Sequence, residues 1–133
     1  MSKERVSASH FSPDTRAFIQ LLRTHGVRYL IVRGEGVILH GHARLTGDVD
    51  FFYARDHDNL RRLFSALDAF WDGDVPRLQG PQDLGPEWTI IQFGQPPNRL
   101  DLINSIEGVD FAEAWQGRLE AVLVSTDEEI PLL

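Results

Sequence analysis

Two aspartates, Asp48 and Asp50, stand one residue apart just before an apolar run, within the stretch RLTGDVDFF at residues 44–52. Alternate side chains of a β-strand point to the same face, so both carboxylates would project from one side, about 5–7 Å apart. Two such anions repel each other, and a fold tolerates them when a cation lies between them. Carboxylate oxygens without histidine or thiolate partners favour a hard divalent ion such as Mg²⁺.

A third carboxylate, that of Asp101, lies inside the apolar stretch RLDLI at residues 99–103. Leucines flank it on both sides, so it occupies an interior position where an unpaired charge is costly. If its strand lies beside residues 48–54, the three acids converge, and three carboxylates can bridge two metal ions in phosphoryl transfer. The alternative is that DVD is a charged strand end and that Asp101 pairs with Arg99. Spacing alone does not decide between these interpretations.

The elements that must position these acids follow from periodicity and breaker residues. Apolar side chains at helical spacing predict three helices, over residues 12–26, 56–71 and 108–118. β-Branched and aromatic runs predict five strands, over residues 27–32, 48–54, 88–94, 99–105 and 120–125. The segment EGVILH, residues 35–40, predicts a short helix. QPPN, residues 95–98, predicts a turn and therefore an antiparallel hairpin between the strands that flank it.

Helix starts are indicated by capping residues. Ser12 is the expected N-cap of the first helix, and Asp56 or Asp58 is the expected N-cap of the second.

The large side chains of Trp88 and Trp115 are expected in the hydrophobic core or at its border.

Helical crossovers combined with one hairpin predict an α/β (α+β) fold, a mixed sheet of about four or five strands with helices packed on it. A chain of 133 residues is long enough for one domain, residues 1–133, and too short for two. The last predicted strand is expected at an edge of the sheet. Residues 1–11 and 126–133 are expected to be flexible.

Composition excludes several classes of function. A net charge of −7 argues against charge-driven binding to nucleic acid, because phosphates need a positive surface. The absence of cysteine excludes disulfides, thiolate metal sites and cysteine nucleophiles. No apolar run approaches the roughly 20 residues of a membrane span, and the N-terminal residues lack a signal-peptide core. We therefore expect a cytoplasmic protein that does not contact membranes.

The wider context of the acids resembles the signature of the minimal nucleotidyltransferases of the DNA polymerase beta-like superfamily. In YLIVRGEGVILHGHARLTGDVDFFY, residues 29–53, a strand, a glycine-containing turn, a short helical segment and D-x-D follow in that family's order. PPNRLDLINSIEGVDFAEAW, residues 96–115, is similar to the region that carries the family's third acid. The resemblance covers about residues 15–125. It is closest to bacterial stand-alone domains, some of them related to abortive-infection toxins.

This resemblance implies a nucleotidyltransferase fold and transfer of a nucleoside monophosphate from a nucleoside triphosphate such as ATP to a hydroxyl, with release of pyrophosphate. It implies a Mg²⁺ (or Mn²⁺) cofactor and a protein or RNA acceptor. Catalysis and metal binding are assigned to three acids, Asp48, Asp50 and Asp101. Nucleotide or phosphate contacts are expected from four residues, Arg33, Gly34, Arg44 and Thr46. The last two could instead stabilise the turn before the acids.

One position departs from the family pattern, because Arg33 stands where the first glycine of the phosphate-holding turn is usual. Glycine lets the backbone approach the triphosphate. A guanidinium could contact a phosphate itself, or pair with Glu35 or one of the aspartates. The chain also ends soon after its last predicted strand, so an active form is expected to need a protein partner or a second copy. The alternative function is a catalytically inactive domain that binds a partner protein, as in a toxin–antitoxin type pair.

Overall fold

The structure is a computed structural model, and it describes residues 4–6, 12–32, 38–39, 42–43, 49–94, 99–123 and 129–133. The strands along these residues are β1 (Glu4–Val6), β2 (Tyr29–Val32), β3 (Ile38–Leu39), β4 (His42–Ala43), β5 (Val49–Tyr53), β6 (Ile90–Phe93), β7 (Leu100–Ile103), β8 (Leu119–Leu123) and β9 (Glu129–Leu132). The helices are α1 (Pro13–Thr24), α2 (His57–Phe70), α3 (Phe111–Gln116) and a short 3-10 helix (Pro81–Leu84).

Seven of these strands form one mixed sheet, in the order β1-β8-β9-β2-β5-β7-β6. β5 lies antiparallel to β2 and parallel to β7, and β7 lies antiparallel to β6. The predicted hairpin is confirmed, although its predicted turn at residues 95–98 lies outside the described residues. The predicted class of a mixed sheet with packed helices is also confirmed, with more strands than the four or five expected.

Alternation along β5 and β7 separates an apolar face from a face that carries acids. Phe51 and Tyr53 point to the same side as the leucines flanking Asp101, and α1 and α2 cover this side. The rings of Phe18 and Phe51 meet edge-on, with 5.3 Å between their centroids. The buried helix side chains follow helical spacing: Phe18, Ile19, Leu22, Leu60, Leu63 and Leu67. The hydrophobic core therefore lies between these two helices and the sheet.

Both long helices begin at residues that the capping signals predict. Ser12 Oγ accepts a hydrogen bond from the Thr15 N–H at 3.1 Å. Asp56 Oδ2 accepts one from the Asn59 N–H at 3.1 Å, so Asp56, not Asp58, is the N-cap of α2. Each cap satisfies a backbone donor that the first helical turn leaves without a partner. Among the residues that the structure describes, no helix is both long and apolar enough to cross a membrane.

α3 packs on the opposite face of the sheet. The rings of Phe111 and Phe52 meet edge-on, with 5.0 Å between centroids. Trp115 is half-buried and stacks on Phe111, as expected. The expectation for Trp88 is wrong, because this side chain is 58 % exposed. Its φ of 68° belongs to a turn before β6 and not to the strand predicted over residues 88–94.

The strand predicted over residues 120–125 is not at an edge of the sheet, because β8 lies between β1 and β9. Both neighbours come from the segments expected to be flexible, residues 1–11 and 126–133. β1 is parallel to β8, and β9 is antiparallel to β8 and parallel to β2. Pro131 cannot donate a backbone hydrogen bond, so in the sequence it argues against an interior strand. That is why the pattern does not indicate β9.

The prediction of a short helix over residues 35–40 is wrong where the structure describes this segment. Ile38–Leu39 forms β3 and pairs with β4 in an antiparallel arrangement. The β-branched side chain of Ile38 favours the extended backbone, and glycine within this segment disfavours a helix. Residues 35–37 and 40 lie outside the described residues.

The buried side chain of Asn104 ties the end of β7 to the loop before β6. Its amide nitrogen donates to the carbonyls of Pro86 at 2.8 Å and Leu84 at 3.1 Å. Its Oδ1 accepts a hydrogen bond from the Thr89 N–H at 3.2 Å. The Tyr53 hydroxyl also donates to the Leu84 carbonyl, at 2.7 Å. One buried amide therefore fixes the conformation of this loop.

The position of β9 inside the sheet predicts that its apolar side chains carry stability. We expect Leu132→Ala to lower the free energy of unfolding by about 2–5 kcal/mol, because Leu132 is 1 % exposed and truncation leaves a cavity. Leu133→Ala is the matched control: Leu133 is 37 % exposed, and we expect a change within about 0.5 kcal/mol. Urea unfolding measures both values. Equal, small losses would contradict the placement of β9.

Alkaline pH should destabilise the fold through Tyr53. Burial raises the pKa of this phenol to about 12, against about 10 in an unfolded chain. Below pH 10 both states hold the proton, and between about pH 10 and 12 the unfolded state loses it first, so stability falls as pH rises. We expect Tyr53→Phe to flatten this decline while costing about 1 kcal/mol at neutral pH, from the lost hydrogen bond. Urea unfolding across this pH range measures the decline. Tyr29→Phe is the control, because it leaves Tyr53 in place and should keep the decline.

Candidate functional site

Two of the predicted acids, Asp50 and Asp101, are direct neighbours across the parallel strands β5 and β7. Residues that face each other in paired strands lie on the same face, and adjacent strands are about 4.8 Å apart. Both acids therefore lie on the face opposite α1 and α2. Asp50 is half-buried, and Asp101 is only 7 % exposed. We call these two residues the aspartate pair.

Arg99, two residues before Asp101, holds that carboxylate in a bidentate ion pair. Its Nε lies 2.9 Å from Oδ1, and its Nη2 lies 3.3 Å from Oδ2. The pairing considered as an alternative for Asp101 is therefore present. It offsets part of the cost of burying one carboxylate beside another. The arginine side chain is 27 % exposed, so solvent reaches this end of the aspartate pair.

The sequence predicts seven site residues, and two of them form this pair. Five of them lie outside the described residues: Arg33, Gly34, Arg44, Thr46 and Asp48. The structure thus brings together two of the seven predicted site residues, Asp50 and Asp101.

Gln92 is a neighbour of the aspartate pair that the sequence analysis does not name. It pairs with Asp101 across β6 and β7, while Val32 pairs with Asp50 across β2 and β5. The four residues form a row across the sheet, on one face. The sequence contains a signal for this pairing. Gln92 and Asp101 are equally far from the middle of the predicted turn at residues 95–98, and residues at equal distance from the turn of a hairpin face each other. Its exposed amide adds a donor and an acceptor beside the carboxylates.

The donor chemistry of the aspartate pair fits a hard divalent cation. Carboxylate oxygens on rigid, adjacent strands are the ligands that Mg²⁺ takes in proteins, with water and phosphate oxygens completing its six positions. Within the described ranges, no group of three or more histidine, cysteine, aspartate or glutamate side chains is placed to hold a metal. The pair can thus supply two ligands, although Arg99 already occupies part of the acceptor capacity of Asp101.

Comparisons with protein-family models, with curated protein sequences and with solved structures found no match to this chain. The function of the site must therefore be inferred from the chain's own residues.

The ion pair of Asp101 predicts a dependence of stability on Arg99. We expect Arg99→Ala to lower the free energy of unfolding by about 1–3 kcal/mol, because a buried carboxylate then lacks its charged donor. Arg99→Lys should recover only part of the loss, because an ammonium keeps the positive charge but cannot form the bidentate contact. Thermal or urea unfolding measures these changes.

The matched control is Arg61→Ala, which removes an exposed ion pair with Asp58 on α2. We expect this change to stay within about 0.5 kcal/mol. If Arg99→Ala and Arg61→Ala lower the free energy of unfolding by the same small amount, the burial of the Arg99–Asp101 pair has no energetic consequence.

Proposed function

We propose that this protein is a Mg²⁺-dependent nucleotidyltransferase that transfers a nucleoside monophosphate from a nucleoside triphosphate to a hydroxyl acceptor. The observation that carries the proposal is the register of β5 and β7, which sets Asp50 directly beside Asp101 on one sheet face. Carboxylates on two adjacent rigid strands are suited to share one hard divalent cation, which supports the proposal. Asp48, two residues before Asp50 in the sequence, is proposed as the third acid.

In this proposal the chain's residues have separate roles. Asp48, Asp50 and Asp101 hold Mg²⁺, which when bound neutralises charge on the phosphates and lowers the pKa of a hydroxyl beside it. Asp101 also assists removal of the proton from the attacking hydroxyl. The acceptor oxygen forms a bond to the α-phosphorus as the bond to the bridging oxygen of pyrophosphate breaks. Arg99, released from Asp101, contacts a phosphate oxygen.

The proposal extends to the fold and to the remaining predicted residues. A central β5 that is antiparallel to β2 and parallel to β7 is consistent with a nucleotidyltransferase fold, and supports it. Arg33, Gly34, Arg44 and Thr46 are proposed to contact the triphosphate. The acceptor is proposed to be a protein or an RNA.

A second candidate function has its own observation in its favour. The guanidinium of Arg99 already neutralises Asp101 with two hydrogen bonds, as expected where an arginine replaces the metal. In that case the protein is a catalytically inactive relative that binds a partner protein, as in a toxin–antitoxin type pair. Binding of nucleotide separates the two candidates.

The first test is stabilisation by nucleotide. We expect one or more nucleoside triphosphates with Mg²⁺ to stabilise the fold, by about 2.7 kcal/mol at about 100 times the Kd. Thermal unfolding with each of the four triphosphates, with Mg²⁺ and with EDTA, measures this. Absence of stabilisation by all four contradicts the nucleotidyltransferase proposal and favours the partner-binding function.

The second test is transfer itself. With triphosphate labelled at the α-phosphate, we expect label in protein or RNA and release of pyrophosphate in a Mg²⁺-dependent reaction. Asp101→Asn and the double variant Asp48→Ala/Asp50→Ala should lose at least about 100-fold of this activity, the scale on which removing one charge-stabilising group acts. Asp68→Asn, on the exposed side of α2, is the matched control and should retain it. Circular dichroism must show that each variant is folded, and full transfer by the double variant would overturn the metal mechanism.

A further inference from the structure

A cavity of about 180 Å³ opens at the end of the sheet where β5 and β7 both finish. It is lined by Arg55, which follows β5, and by Ser105, which follows β7. The rings of Phe52 and Phe111 form an apolar wall. Neither member of the aspartate pair lines this cavity, which we call the Trp88 cavity. The carboxyl ends of adjacent parallel strands are a common place for ligands in open sheets with helices.

Trp88 lines this cavity in a conformation that the fold must hold in place. Its φ of 68° is unfavourable for a residue that carries a Cβ. Ser105 Oγ accepts a hydrogen bond from the Trp88 N–H at 2.9 Å, and Asn104 Oδ1 accepts one from the next N–H, that of Thr89. The same Ser105 hydroxyl donates to Asn104 Oδ1 at 2.8 Å. This network presents a large apolar ring to solvent.

The charges around the Trp88 cavity have both signs. Arg55 supplies a guanidinium, one of whose nitrogens donates to the Gly85 carbonyl at 3.2 Å, which leaves further N–H groups for another acceptor. Glu87 and Asp110 supply two carboxylates. Asp110 also caps α3 through the Glu113 N–H, but a carboxylate has about four acceptor positions. A small molecule that carries an anionic and a cationic group together would match these charges.

We propose that the Trp88 cavity binds a free α-amino acid with an apolar side chain. The α-carboxylate contacts Arg55, the α-ammonium contacts Glu87 and Asp110, and the side chain packs against the indole of Trp88. The size is suitable, because a cavity of roughly 150 Å³ holds a benzene-sized molecule. This inference does not depend on the proposed transferase activity, since the aspartate pair lies outside the cavity.

The first experiment uses the whole chain and three probes: free leucine, leucinamide and N-acetylleucine. We expect saturable binding of leucine by calorimetry and a blue shift of tryptophan fluorescence as the exposed indole becomes covered. Leucinamide lacks the carboxylate and N-acetylleucine lacks the ammonium, so each should bind at least about tenfold more weakly. Equal binding of either analogue overturns the proposal. So does the absence of binding for every standard amino acid at up to about 10 mM, well above a weak Kd of about 1 mM.

Two variants test the roles of Arg55 and Trp88 in binding the amino acid. Arg55→Gln should weaken leucine binding at least about tenfold, while Arg61→Gln, which changes an exposed arginine of α2, should not. Trp88→Gly removes the indole and also permits the positive φ, so it should abolish the fluorescence shift without lowering the melting temperature. Undiminished leucine affinity in either Arg55→Gln or Trp88→Gly would overturn the assignment.

Discussion

The parallel pairing of β5 with β7 is the constraint on which the rest of the structure depends. In one register it places Phe51 beside Leu102 on the side that α1 and α2 cover, and Asp50 beside Asp101 on the other. A slip of β7 by one residue past β5 would turn the leucine side chains of β7 out of the core and Asp101 into it. Burial of the core therefore also sets the two carboxylates next to each other, whatever their function.

Arg99 shows how the molecule accommodates that arrangement. A buried carboxylate next to another acid needs a cation, and Arg99 provides one with geometry that matches both oxygens of Asp101. A guanidinium in this position and a metal ion satisfy the same electrostatic need, but only the arginine belongs to the chain. In the proposed enzyme Mg²⁺ would take the place of Arg99 beside Asp101, whereas in the proposed binding module Arg99 would keep that place.

The sequence predicts the elements with strong local patterns and misses those defined by distant pairing. The caps at Ser12 and Asp56, the long helices and the β6–β7 hairpin follow from local chemistry. Alternation predicts the face on which each acid lies, whereas the pairing of β5 with β7 is a contact between distant segments that no local pattern predicts. β1 and β9 are short and take their places through strands far away in the chain, and Pro131 argues against the second. Trp88 is misassigned because its exposure depends on the loop held by Asn104, which no local pattern reveals.

The central place of β9 has a consequence for how the protein acquires its structure during translation. β9 follows every other described element in the chain, yet it separates β2 from β8 in the sheet. Until it leaves the ribosome, β2 lacks one of its two lateral partners in the sheet, and β1 and β8 have no hydrogen-bonded link to the other strands of this sheet among the described residues. Assembly of the whole sheet must therefore wait until synthesis has passed Leu132. Contacts between such widely separated segments form slowly, so nascent chains expose unpaired strands for a period in which chaperones can bind them.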